Sequence, residues 1–295
     1  MSMRVPNSTD TLQITFWGVR GSVSASGPRF EEFGGHTPCV EIRCGDRLFV
    51  IDAGTGLAAL GSALGHDAPV EIDLLLSHLH LDHIGGLPFF KPALLGDRTL
   101  RIHCGNLNGR SAQEPLDRLF SPPLFPIRLD QLPCRIEHVG FKAGETLHFS
   151  DGECVDTCLL QHPSGATGYK FHHGGRTVVY VSDLEHTKPW PPQTLKDFVA
   201  GADLMIYDAM FSETEYTACR GWGHSTWEAG VELCQEAGVK AMAIFHLHPA
   251  HDDAHMRLVE AEVQAVMPTA FVAREGQTFT FEAAAEAIES PAASL

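Results

Sequence analysis

The chain has 295 residues, 44% of them hydrophobic and 20% charged, with a formal net charge of −16 when histidine is neutral. That length suffices for one large α/β domain or two small ones, and the acidity argues against a polyanion as habitual partner, since phosphates are neutralised by Lys and Arg. No apolar run is long enough to span a bilayer and residues 1–8 lack the apolar core of a signal peptide, so a cytoplasmic location is expected.

Residues 12–17 alternate like a strand and enter the glycine-rich loop Gly18-Val19-Arg20-Gly21-Ser22. The turn Gly34-Gly35-His36-Thr37-Pro38 leads to a strand over 40–44, with a hairpin partner over 47–51 across Gly45-Asp46. The turn Asp52-Ala53-Gly54-Thr55-Gly56 then opens a short helix over 57–64. Three strands before the first helix suit an antiparallel layer. The apolar run 72–76 ends in Ser77-His78-Leu79-His80-Leu81-Asp82-His83. Four potential metal ligands in six positions exceed what a fold requires, because buried imidazoles and carboxylates are costly unless paired or metal-bound. In an extended segment, residues two apart point the same way, so His78, His80 and Asp82 can converge, with His83 on the next turn of chain.

Beyond this motif the pattern predicts a strand over 100–104 and a helix over 111–120, broken by Ser121-Pro122-Pro123-Leu124-Phe125-Pro126. That segment reads equally as a cleft lip or an anchored surface loop. Strands follow over 135–139, 146–149 and 153–160, the last leading to His162-Pro163. A tightly held metal needs a strong donor beyond His78 and His80. His172 and His173 compete for that role but read as exposed hairpin residues beside Gly174-Gly175. The strand over 176–181 delivers Asp183, and the buried stretch 203–211 carries Asp208. In Gly223-His224-Ser225-Thr226-Trp227-Glu228, Ser225 and Glu228 read as a capping box for a helix ending at Gly238. His224 would then stand just outside a helix N-terminus, a place that favours anions. A strand over 240–245 ends in His246-Leu247-His248, a helix covers 252–266 and a last strand 278–281. The eight cysteines are scattered without a C-x-x-C pair, which indicates neither a zinc ribbon nor a disulfide framework.

The strand ending in Ser-His-Leu-His-Leu-Asp-His resembles the metallo-β-lactamase superfamily of metal-dependent hydrolases. Its Gly-x-Arg-Gly-Ser loop and Asp-Ala-Gly-Thr-Gly turn are similar to those of a phosphodiesterase and ribonuclease Z-like branch; His36 stands where that branch has Asn, and reads as a solvent-exposed substitution, with reach towards the substrate as the alternative. The resemblance implies an α/β fold, a four-layer αβ/βα sandwich formed by one domain over residues 1–282, with a C-terminal tail over 283–295. It implies two divalent metal ions. His78, His80 and His162 would hold one; Asp82, His83 and His246 the other, with His248 in reserve for His246; Asp183 would bridge them. Asp52 would orient a ligating imidazole. Donors of nitrogen and oxygen without thiolate suit zinc, with manganese or iron also open. His224 is the candidate general acid and Asp208 its orienting partner; these two and Asp82 form the candidate catalytic set. The implied activity is hydrolysis of a small or cyclic phosphodiester, with ester or lactone hydrolysis, or a metal-binding regulatory module, as alternatives. In ribonuclease Z a tRNA-gripping arm lies between the third His and the bridging Asp; here only a short hairpin separates His162 from Asp183, so tRNA is not the expected partner. A membrane partner is not expected either, and a homodimer is left open.

Overall fold

The computed structural model describes residues 11–283. The signal-peptide reading of residues 1–8 and the tail beyond residue 283 lie outside the described residues. The first half of the chain runs β1 (Leu12–Gly18), β2 (Cys39–Cys44), β3 (Arg47–Ile51), α1 (Gly56–Leu64), β4 (Glu71–Leu76), α2 (Leu81–Ile84), β5 (Thr99–Cys104), α3 (Gln113–Leu119), β6 (Arg135–Gly140) and β7 (Thr146–His148). The second runs β8 (Cys154–Leu160), β9 (Ala166–His173), β10 (Arg176–Val181), α4 (Gln193–Val199), β11 (Leu204–Asp208), α5 (Glu213–Cys219), α6 (Trp227–Ala237), β12 (Met242–Phe245), α7 (Asp253–Val266), β13 (Ala270–Val272) and β14 (Thr278–Phe281).

Two mixed seven-stranded sheets result, ordered β14-β1-β2-β3-β4-β5-β6 and β13-β12-β11-β10-β9-β8-β7. The pairs β1/β2 and β2/β3 are antiparallel, as three strands ahead of a helix suggest, and β3 to β6 run parallel. Cys44 faces Arg47 across Gly45-Asp46, which makes the expected two-residue hairpin; Gly45 takes φ 56°, a conformation that glycine adopts freely.

Alternation along β3 explains the layering. Phe49 and Ile51 join the core between the sheets, while Leu48 and Val50 join a second core with Leu57 and Leu60 of α1. Across the inter-sheet core the rings of Phe16 and Phe245 lie 6.0 Å apart, and those of Phe49 and Phe171 5.5 Å. On the far face of the second sheet, α6 lies so close that a Cβ at Gly230 would meet the Tyr207 ring at 2.7 Å. Sheets back to back with helices outside give the α/β sandwich expected from the sequence. Among the described residues no helix is long and apolar enough to cross a membrane.

The structure corrects several local expectations. The helix predicted to start from a Ser225/Glu228 box is capped by Thr226, whose hydroxyl accepts from the Ala229 amide; Ser225 is buried and its hydroxyl bonds Tyr207 and His186 instead. The tertiary partners of Ser225 outbid its capping role. Helices α4 and α5 and strand β13 have no counterpart in the sequence reading, and each is seven residues or shorter. Around 121–126, Phe125 is anchored against Phe89 and Phe120, as in a surface loop.

Candidate metal centre

All seven predicted ligands meet at one edge of the sandwich. His78 and His80 follow β4, His162 follows β8, Asp183 follows β10 and His246 follows β12. The extended run predicted for the motif stops at His80; Asp82 and His83 lie in the short helix α2, whose N-cap is His80. Asp82 therefore reaches the cluster through a helical turn rather than through strand alternation. Its Oδ2 also accepts from the Ser22 amide at 2.7 Å, which assigns a task to the glycine-rich loop after β1.

His78, His80 and His162 each offer a ligand atom within 4.8 Å of the others, and so do Asp82, His83 and His246. Asp183 stands between the triads. Its Oδ1 is 3.8 Å from His78 Nε2, 3.7 Å from His162 Nε2 and 3.4 Å from His246 Nε2, and its Oδ2 is 3.2 Å from His83 Nε2. His78, His83, Asp183 and His246 form the buried floor, whereas His80 is exposed and Asp82 half-buried.

Hydrogen bonds behind the cluster set which nitrogens face inward. The His83 Nδ1–H donates to Asp52 at 2.8 Å, and the His162 Nδ1–H donates to the Gly223 carbonyl at 2.7 Å, leaving both Nε2 atoms free. The Ser77 hydroxyl gives its single proton to Asp52 at 2.9 Å, so it accepts from His78 Nδ1–H and frees His78 Nε2 as well. Asp52 further accepts the Ser77 amide and the Tyr180 hydroxyl, both at 2.7 Å. It thus takes the orienting place expected of it, with Ser77 and Tyr180 as partners that no sequence signal announced.

This arrangement fits cations. His78 Nε2 is buried without a hydrogen-bond partner. His80 Nδ1 faces His162 Nε2 at 3.1 Å and His83 Nε2 faces His246 Nε2 at 3.2 Å. Each facing pair of imidazole nitrogens needs a proton or a cation between its lone pairs. Burial disfavours the charged form of His83, but Asp183, Asp82 and Asp52 outweigh it and push its pKa well above the ordinary range. Burial alone would raise the Asp183 pKa; the surrounding imidazoles of His246, His83 and His78 hold it far below the usual carboxylate range. A negative potential that holds protons on imidazole is one that a dication can answer.

Backbone strain marks the same edge. Ser22, Asp52, Asp183 and His246 all have φ between 60° and 63°, the left-handed region that non-glycine residues rarely occupy. Gly21 is required beside them, since a Cβ there would lie 2.3 Å from His246 Nδ1.

His224 adjoins the cluster from the loop before α6. Its ring stacks on His246 at 4.8 Å between centroids, and its Nδ1–H donates to the buried Asp208 carboxylate at 2.9 Å. Burial lowers its pKa, but Asp208, with Asp183 and Asp82 behind it, raises it to about 9. His248, the reserve ligand, lies beside Phe211 and His251 instead, and His36 is exposed, as expected. The 720 Å³ cavity lined by Arg110, Arg118 and Arg128 includes none of the cluster residues.

Comparison with known proteins agrees with this geometry. The family description "Beta-lactamase superfamily domain" matches residues 47–247, more than half of the chain. Ribonuclease Z of Halobacterium salinarum is 31% identical over 316 residues, covering 91% of this chain and 97% of that relative. Ribonuclease Z of a Synechococcus strain is 28% identical over 148 residues, and the match spans 49% of this chain and 43% of the relative, less than half of that protein. The crystal structure of the metallo-beta-lactamase fold protein YhfI from Bacillus subtilis shares the fold with a TM-score of 0.69 at 21% identity, over 92% of this chain and 100% of that one. With strand-end histidines and aspartates grouped so that they can hold metal ions, the chain belongs to the beta-lactamase superfamily, in its ribonuclease Z-like branch.

Proposed function

We propose that the protein hydrolyses a small or cyclic phosphodiester, with His224 as general acid and Asp208 as its orienting partner. The observation that carries this reading is the 2.9 Å contact between His224 Nδ1 and Asp208 Oδ2 beside the seven-residue cluster. The name of the relatives, ribonuclease Z, points the same way. In this reading residues 1–282 act as one hydrolase domain. His78, His80 and His162 would hold one divalent ion, Asp82, His83 and His246 a second, and Asp183 both, with zinc favoured by the nitrogen and oxygen donors and manganese or iron as alternatives. When bound, such ions supply Lewis acidity toward water and toward the phosphoryl oxygen.

The protein's own residues do the rest. Asp208 takes Nδ1–H of His224, which leaves the proton on Nε2 for the departing oxygen. The raised pKa keeps that proton in place at neutral pH. Asp82 is steadied by the Ser22 amide, and the buried floor excludes water from the inner imidazoles. Two features argue for a small substrate rather than tRNA: only the β9/β10 hairpin separates His162 from Asp183, and the net charge is −16.

The test is a panel of metal-loaded protein against bis-aryl phosphate, cyclic nucleotides, aryl esters, lactones and tRNA. Cleavage of the small diesters is expected, and His224→Ala should keep its metal while losing about 10²-fold or more in kcat with poor leaving groups. Turnover of esters or lactones alone would replace the phosphodiesterase reading.

A further inference from the structure

The loop that carries His224 joins α5 to α6, and at its far end His224 is held by Asp208. Residue 222 within it, a tryptophan, is 59% exposed, and Gly221 and Gly223 adopt φ of 86° and 89°. An irregular loop with an exposed tip would ordinarily be among the more mobile parts of a fold. Here one carboxylate gathers it. Glu185 Oε1 accepts from the Gly221 amide at 2.6 Å and from the Tyr216 hydroxyl at 2.9 Å, and Glu185 Oε2 accepts from the Gly223 amide at 3.0 Å. The backbone of Glu185 is tied down independently, its amide donating to the Gln161 carbonyl at 2.8 Å, one residue before His162. The clamp thus spans the end of β8, the residues after Asp183 and the His224 loop.

We propose that Glu185 is a positioning residue that fixes His224, and through the Gly223 carbonyl also the His162 ring. The inference rests on the reading of His224 as general acid. Gly223 is the pivot: its amide is held by Glu185, its carbonyl accepts His162 Nδ1–H at 2.7 Å, and the next residue is His224. The close approach admits only glycine, since a Cβ would meet His162 Nδ1 at 2.5 Å. An acceptor-only group is required, because two amides and a hydroxyl all donate to it. Glutamine keeps the shape but offers a single acceptor oxygen and turns an NH₂ toward the other amide. Glu185→Gln therefore releases one side of the clamp without removing any group from the cleft.

The experiment combines backbone amide exchange with leaving-group dependence. In the wild-type protein the Gly221 and Gly223 amides should be protected despite their place in an irregular loop, and fast exchange at both would overturn the clamp outright. In Glu185→Gln, metal content should match wild type and exchange at one or both glycines should rise at least tenfold. Its kcat should drop about 10- to 100-fold for an alkyl phosphodiester but less than about twofold for a p-nitrophenyl diester, which needs no acid. Equal losses on both substrates, or unchanged exchange, would overturn the inference. His224→Ala run alongside separates the two ideas. If His224→Ala itself lacks the leaving-group dependence, the general-acid reading fails, and the exchange data still judge the clamp. If His224→Ala shows it and Glu185→Gln does not, the positioning role alone fails.

Discussion

Asp208→Asn isolates the charge of the Asp208–His224 pair from its geometry. An asparagine carbonyl can still accept His224 Nδ1–H, and the Leu184 and Met210 amides, each 3.3 Å from a carboxylate oxygen, retain a polar neighbour. What disappears is the buried negative charge that, against the effect of burial, holds the His224 pKa at about 9. Without it the His224 pKa should fall from about 9, with Asp183 and Asp82 still raising it, and each unit of fall costs about 1.4 kcal/mol of preference for the imidazolium. At pH 8 a group with a pKa of about 9 is about nine-tenths protonated, and that share, with it the supply of general acid, should drop in the variant. The cleanest readout is stability of the metal-free protein. Because the folded pKa lies above the unfolded value, the pair's stabilisation is fully present below about pH 6.5 and is lost as pH rises through about 9. Urea titrations across that window should show stability falling with rising pH less steeply in Asp208→Asn than in wild type, the shared part of the slope coming from His83, whose pKa Asp183, Asp82 and Asp52 also raise. In the loaded enzyme, the alkaline decline of kcat on an alkyl diester should begin at lower pH in the variant. The same stability slope in both proteins would refute the assignment of the His224 charge to Asp208.

Two further outcomes are expected. Chelation leaves the facing imidazole pairs His80/His162 and His83/His246 without a cation, so the Tm should fall and recover on adding metal, with saturation at a hundred times Kd worth about 2.7 kcal/mol; full recovery at one equivalent per chain, by metal analysis, would refute the two-triad arrangement. Gly21→Ala places a methyl 2.3 Å from His246 Nδ1, so that ring must move, and the variant should retain about half the metal of wild type with its fold intact; unchanged metal content would show that His246 is no ligand.

Much of this protein is legible in its sequence because the decisive signals are local. Strand periodicity and the two-residue Gly45-Asp46 hairpin depend on neighbours a few residues away, and the motif from Ser77 to His83 carried the family resemblance that implied the sandwich and the other ligands. The residues that tune those side chains were not legible. Tyr180 reaches Asp52 across 128 positions of chain, and Glu185 reaches the Gly221 and Gly223 amides across 36 and 38. Ser225 looked like a helix cap and became a buried bridge between Tyr207 and His186, which left the cap to Thr226. Asp82 arrived through a helical turn instead of an extended strand. The sequence alone determined which chemical groups end the strands, because strand patterns are local, and the family resemblance singled out His162, Asp183 and His246 among them. Only the tertiary structure decided their tautomers, charges and neighbours, because hydrogen bonding and burial depend on which distant segments the fold brings within about 3 Å.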